Sequence, residues 1–199
     1  MSNEVHESEV TTRLSAIEQQ LQQFNQLLSN LSDRIAKSEE SFLLVADIHK
    51  YKKLQDLLVA GNLREADWET IRVIQAITKE PDLAAITPDD MREFPCDELR
   101  VIDGLWTKYS QGRFGFSVQI HIYQSVGGSF DTTINQDNTV IEKFGELVGW
   151  RVDGKWLKCD DLDYTLAAPI GCHPSRWWNS PFGSKMTNYF FNRLLVCSL

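Results

Sequence analysis

Between residues 8 and 37 apolar side chains return in alternating steps of four and three: Val10, Leu14, Ile17, Leu21, Phe24, Leu28, Leu31 and Ile35. That spacing holds one seam on one face of a helix, the heptad of a coiled coil. Gln, Asn, Ser and Glu fill the positions between, and no Gly or Pro interrupts the run. As a helix it extends for roughly 40 Å at 1.5 Å per residue. A seam this narrow needs a cover. Two covers are open, a second copy of the chain or the rest of the same chain; self-association through residues 8–37 is the preferred reading.

From Phe42 the pattern becomes that of a helical hairpin. Leu54, Leu57 and Leu58 share a face, Gly61-Asn62 supplies a left-handed stop, and a second arm follows over residues 63–78 with Trp68, Ile71, Ile74 and Ile77 at helical spacing. The pair resembles one tetratricopeptide unit, but no second unit follows in register, so a solenoid is rejected. Pro81 ends the arm. Thr87-Pro88-Asp89-Asp90 then reads as an N-cap, an N1 proline and an acidic first turn.

Residues 96–109 predict another helix, with Leu99, Ile102, Leu105 and Trp106 on one face. Residues 116–123 fit either element, since Val118, Ile120 and Ile122 alternate while Phe116, Ile120 and Tyr123 suit a helix; the helical surroundings favour helix. Residues 125–139 read as a loop, and Thr139 caps a helix ending at Gly149-Trp150-Arg151. Residues 169–184 carry Pro169, Gly171, Pro174, Pro181 and Gly183, too many breakers for a regular element. A final helix spans residues 186–197. The expected organisation is an N-terminal helix or coiled coil over 1–40 and a helical domain over 46–199.

Charge adds a constraint. The 199 residues hold 20 Lys and Arg against 28 Asp and Glu, a net charge of −8, which argues against a duplex nucleic-acid binder. From Gly171 onward there is no acid, only Arg176, Lys185 and Arg193 among Trp177, Trp178, Phe182, Tyr189, Phe190 and Phe191. No apolar stretch is long enough to span a bilayer, and the acidic N-terminus resembles neither a secretory leader nor a transit peptide. A cytosol-like compartment is the expectation. Cys96, Cys159, Cys172 and Cys197 are isolated and are expected to be reduced, mostly buried thiols. His6, His49, His121 and His173 form no ligand spacing, so no protein-built metal site is expected.

The string Gly112-Arg-Phe-Gly-Phe-Ser-Val118 has two false friends. A kinase glycine loop would need a following V-A-x-K, and an RNA-reading strand would need a Gly after the basic residue and a basic sheet. Asp160, Asp161 and Asp163 lack the glycine and terminal glutamate of a calcium loop. No nucleophile elbow, zincin helix, Walker loop or dinucleotide fingerprint occurs, so no catalytic role is expected. Trp177-Trp178 lies on a loop broken by Pro and Gly. Adjacent indoles there cannot both enter one core, so one is expected to line a pocket or partner surface.

The block Phe94-Pro-Cys-Asp-Glu-Leu-Arg-Val-Ile-Asp-Gly-Leu-Trp-Thr-Lys-Tyr-Ser110, continued by Gly112-Arg-Phe-Gly-Phe-Ser-Val-Gln119, resembles the signature of the genomes-uncoupled family. These are tetrapyrrole-binding accessory proteins of magnesium chelatase in chlorophyll synthesis. The likeness continues at Gly149-Trp150-Arg151 and Ala168-Pro-Ile-Gly171 and covers about residues 46–197. It implies an all-helical domain shaped like a cupped hand, two long loops closing as fingers over an apolar palm. Protoporphyrin IX or its magnesium complex would lie in that palm as ligand, with no cofactor required. By this resemblance Phe116, Val118 and Ile122 fall in the palm and Thr107 sets a hydroxyl against it. Trp177 and Trp178 lie on the second finger, and Arg193 meets a propionate. The implied partner is the large subunit of magnesium chelatase, with peripheral membrane contact left open. The implied setting is a cyanobacterial cytoplasm or a plastid stroma.

The chain departs from the family at Gly104 and Thr107, where Gln and Val are usual, and at Gly171-Cys172-His173-Pro174, where Gly-His-Leu-Pro is usual. Two alternatives follow: a divergent paralogue that binds another tetrapyrrole, or a scaffold without ligand that acts through its coiled coil.

Overall fold

The structure is a computed structural model that describes Arg13, residues 17–31 and residues 48–199. The chain divides into two compact units, Met1–Ala46 and Asp47–Leu199. In the first, residues 17–31 form helix α1, and Ile17, Leu21, Phe24, Leu28 and Leu31 of the heptad are all solvent-exposed. Val10, Leu14 and Ile35 of the same heptad lie outside the described residues.

The second unit is helical, as the sequence and the resemblance predict. Helices α2 (Ile48–Val59) and α3 (Leu63–Thr78) form the expected hairpin. Leu54 and Leu58 on α2 and Ala66, Ile71 and Ile74 on α3 are buried in its seam. Gly61 makes the turn at φ 71°, with open space where a side chain would stand, so glycine serves the backbone alone there. Thr87 opens α4 (Pro88–Arg92) through a capping box with Asp90.

Helix α5 (Cys96–Tyr109) runs through the core. Its Trp106 is fully buried and donates from Nε1 to Thr70 Oγ1 at 2.9 Å. Residues 116–125 settle as helix α6 (Phe116–Ser125) because α5 caps them. Asp103 Oδ1 accepts from Ser117 N at 2.8 Å and from Ser117 Oγ at 3.0 Å, satisfying a donor of the first turn. Burial pushes the Asp103 pKa up, partly opposed by these bonds. A Cβ on Gly115 would sit 2.6 Å from that carboxylate, so only glycine fits the approach.

The expected loop over 125–139 contains a short helix, α7 (Phe130–Ile134), because Ser129 and Thr132 form a capping box. Asp137, not Thr139, caps α8 (Asn138–Leu147). After α8 come two short antiparallel strands, β1 (Arg151–Val152) and β2 (Lys155–Trp156), joined by Asp153 and Gly154 at positive φ. Residues 157–183 hold only 3₁₀ turns. Helix α9 (Ser184–Cys197) closes the core with Met186, Phe190, Phe191 and Leu194 buried. Phe191 stacks on Tyr123 at 4.3 Å.

The expectation that all four cysteines are thiols is corrected. Cys96 and Cys197 form a disulfide across 101 residues, tying the start of α5 to the end of α9 with their Cα atoms 5.3 Å apart. No local spacing could announce a pair brought together by packing. Cys159 and Cys172 are free and buried, and burial pushes each thiol up to about 12, which keeps them protonated and unreactive.

Candidate functional site

An open cleft of about 250 Å³ lies between α8, the strand pair and the start of α9. Its apolar walls are Ile141, Phe144, Trp150, Trp156 and Trp178, and Asn179, Ser180 and the buried Thr187 add polar groups to the lining. The three indoles are organised. Trp178 stacks on Trp150 with centroids 5.4 Å apart and lies against Trp156 at 5.2 Å. Trp150 donates from Nε1 to Cys172 O at 2.7 Å, while Phe144 meets it edge-on at 5.4 Å. Trp156 rests against α8 at Gly145, where a Cβ would stand 2.5 Å from the indole. Trp178 Nε1 is buried without a hydrogen-bond partner among the described residues. A buried donor left open is costly, and an acceptor on a bound molecule would satisfy it.

The loop that carries Trp178 is pinned from beneath by Asp67 of α3. The Asp67 carboxylate is fully buried and accepts four bonds: Ser175 N at 2.8 Å, Ser175 Oγ at 2.6 Å, Arg176 N at 3.2 Å and Tyr164 Oη at 3.1 Å. Arg176 also bonds Asp160 and lays its guanidinium over Trp68, 3.8 Å from the ring centroid. Burial opposes the Arg176 charge, but the Asp160 hydrogen bond and nearby acids hold its pKa above the ordinary value.

His173 stacks on Tyr164 at 4.5 Å, and its Nε2 is 2.8 Å from Asp163 O. A carbonyl only accepts, so Nε2 carries the proton. Nδ1 has no hydrogen-bond partner among the described residues. Burial pushes the His173 pKa below 6.5, with Asp67 and Asp163 partly opposing. The unfolded chain therefore takes up a proton near 6.5 that the folded chain refuses. Stability is expected to be full above that pH and to fall as pH drops toward the lowered folded value. Melting temperatures measured between about pH 7.5 and 5 should slope more steeply for wild type than for His173→Phe. Parallel slopes would refute the assignment.

The predicted site residues separate in the structure. Phe116 is fully buried against Phe190 at 5.1 Å, and Trp177 is buried against the same ring at 4.4 Å. Val118 and Ile122 are half-buried, one turn apart on α6. Ile122 abuts Gly171, where a Cβ would stand 2.6 Å from Ile122 Cδ1. The Thr107 hydroxyl is half-buried and donates back to Asp103 O at 2.9 Å, as threonines within helices do. Arg193 is half-buried and donates from Nε to Phe94 O at 2.6 Å. Of the seven, Trp178 alone lines the cleft. Trp150 and Trp156 complete the wall and were missed, although Asp153-Gly154 between short apolar flanks is a hairpin signal that would have placed them together.

The sequence profile described as GUN4-like matches residues 45–192. The chain belongs to this family. The resemblance carried by residues 94–119 is thus established for three quarters of the chain. Among solved structures, the ligand-free GUN4 of Arabidopsis thaliana is similar, at 26% identity and a TM-score of 0.56, covering 71% of this chain and 93% of that one. GUN4 of Chlamydomonas reinhardtii shares the fold at 22% identity and a TM-score of 0.51, covering 70% of this chain and 86% of that one. A chloroplastic tetrapyrrole-binding protein of Arabidopsis thaliana is 37% identical over 79 residues, 39% of this chain and 30% of that protein. A ycf53 protein of Pyropia yezoensis is 33% identical over 108 residues, 52% of this chain and 40% of that protein. The match spans less than half the length of either curated relative. In this GUN4-like chain, then, the aromatic cleft and the loop pinned by Asp67 sit within the matched region.

Proposed function

We propose that this GUN4-like protein binds a porphyrin, protoporphyrin IX or magnesium protoporphyrin IX, and is not itself an enzyme. Its role would be to stimulate or regulate magnesium chelatase in chlorophyll biosynthesis through the large chelatase subunit. Its setting would be a cyanobacterial cytoplasm or a plastid stroma. The observation that carries the reading is the three-indole wall of the cleft within this family's fold. A flat apolar macrocycle needs flat apolar partners, and stacked indoles supply them. The cleft is smaller than the roughly 300–1,000 Å³ usual for small-molecule pockets. A macrocycle would therefore enter by one edge, leaving its propionates outside for cations of the acid-free tail, Arg193 and Lys185, since Arg176 is buried and paired with Asp160. Trp178 Nε1 offers a donor to whatever acceptor reaches the wall.

Titration of the full chain with deuteroporphyrin tests this by absorbance and tryptophan quenching. Saturable quenching is expected. Trp178→Ala should weaken binding by about ten- to a hundredfold, corresponding to about 1.5–3 kcal/mol of lost aromatic burial. Saturable binding with Trp178→Ala equal to wild type would move the site away from the cleft. Absence of quenching and of any absorbance change would overturn porphyrin binding and favour the ligand-free scaffold. Stimulation of chelatase by wild type, measured with the purified subunits, tests the regulatory part separately.

A further inference from the structure

The end of α9 is joined to the entry of α5 by two neighbouring ties. One is the Cys96–Cys197 disulfide. The other lies one turn earlier on α9, where Arg193 donates from Nε to Phe94 O at 2.6 Å, two residues before Cys96. We propose that the disulfide is a reversible switch: a dithiol reductant opens it in the folded protein, and its opening releases Arg193 from Phe94 to meet an anionic group. The consequence for anion binding rests on the porphyrin reading, in which Arg193 serves a propionate; the thiol chemistry does not.

The bond is open to attack at one sulfur. Cys96 is half-buried whereas Cys197 is 2% exposed, so an external thiolate reaches Cys96 Sγ. That attack forms a mixed disulfide at Cys96 and expels Cys197 Sγ as a thiolate, which takes up a proton. The second thiol of the reductant then attacks the reductant's own sulfur in the mixed disulfide, and Cys96 leaves as the second thiol. The protein gains two electrons and two protons, and the reductant ends as its internal disulfide. Cys159 and Cys172 stay out of the exchange, because burial pushes both thiols up to about 12 and leaves little thiolate near neutrality.

Both states keep the fold. Met186, Phe190, Phe191 and Leu194 are fully buried and hold α9 over most of its length. Arg100 donates to Cys197 O at 2.8 Å, a bond that does not involve the sulfur. The last turn has less to hold it. Among residues 195–199 only Cys197 is buried, and Val196 is 53% exposed. With the disulfide open, Arg193 at the root of that turn loses the crosslink that keeps α9 against Phe94. Its half-buried hydrogen bond must then compete with water, against which a single bond gains little. Cys197 lies outside the profile-matched residues 45–192, so half of the bond comes from sequence beyond the shared block.

Maleimide labelling of the native full chain, with and without prior dithiothreitol, is the test. Without reductant neither Cys96 nor Cys197 should be labelled. After dithiothreitol both should be, with Cys159 and Cys172 still protected and the helical signal retained, and oxidised glutathione should close the bond again. Arg193, followed by phenylglyoxal modification and peptide mass, should react several-fold faster in the reduced chain. Cys197→Ser should show that faster rate with or without reductant. Deuteroporphyrin should bind the reduced chain several-fold more tightly at low salt, and high salt or Arg193→Gln should remove the difference. If neither state binds porphyrin, the ligand reading fails, while the labelling and the arginine rate still read the switch. Labelling of Cys96 before reductant, labelling that needs denaturant, or loss of the helical signal on reduction overturns the switch. Equal Arg193 rates in the two states overturn the coupling, and equal porphyrin affinities overturn its consequence for the ligand.

Discussion

Asp67→Ala is expected to lower stability by about 3–5 kcal/mol, the cost of breaking a buried charged network by removing one side of it. The lost carboxylate leaves Ser175 N, Ser175 Oγ and Arg176 N without their acceptor, and Tyr164 Oη keeps only its 3.0 Å bond to Cys159 O. In a domain of this size that is a fall of melting temperature on the order of 10 °C. The same change should loosen the loop of Trp177 and Trp178, because Asp67 is its tie to α3. Tryptophan emission is then expected to shift red before the helical signal melts. Asp67→Asn separates the two components of the effect. It keeps one carbonyl to accept from the Ser175 and Arg176 amides but removes the charge near Arg176, so its cost should fall well short of alanine's. An alanine variant within 1 kcal/mol of wild type would show that the loop is held elsewhere.

Reduction of Cys96–Cys197 should cost nearly as much. The bond closes a loop of about one hundred residues, for which the chain-entropy account gives about 4–5 kcal/mol as an upper figure and typical cases give 2–4. Melting with and without reductant reads this directly. Cys197→Ser should melt with the reduced wild type and respond no further to reductant. The denatured, unreduced chain should titrate two thiols, Cys159 and Cys172, rather than four. Four thiols together with an unchanged melt would refute the bond. Once it opens, the end of α9 keeps the Arg100 bond to Cys197 O at 2.8 Å and the packing of Phe190, Phe191 and Leu194. The helix should therefore fray from its last turn rather than detach.

The sequence by itself determined the helices. Leu54 with Leu58, Ile71 with Ile74, and Leu99 with Ile102 and Trp106 recur at the helical period because each must turn toward one seam. Gly61 and the Thr87 capping box mark their ends by chemistry within four residues. The long block of residues 94–119 likewise named the family, since it is a string and a string can be read without coordinates. Tertiary structure decided what depends on distance in space. Phe116, placed in the palm by resemblance, and Trp177, placed on the second finger, are both buried, because α9 arrives from the far end of the chain to pack Phe190 against them. Cys96 met Cys197 for the same reason. Residues 116–125, ambiguous by periodicity, became helix once Asp103 of another helix capped them. The wall of the cleft came from Trp150, Trp156 and Trp178, of which the sequence marked only Trp178 as a candidate. A short hairpin and a loop pinned by a buried carboxylate bring the Trp178 ring within 5.5 Å of each of the other two. Periodicity reports which face a residue turns inward, but which residues it meets there is a property of the closed chain.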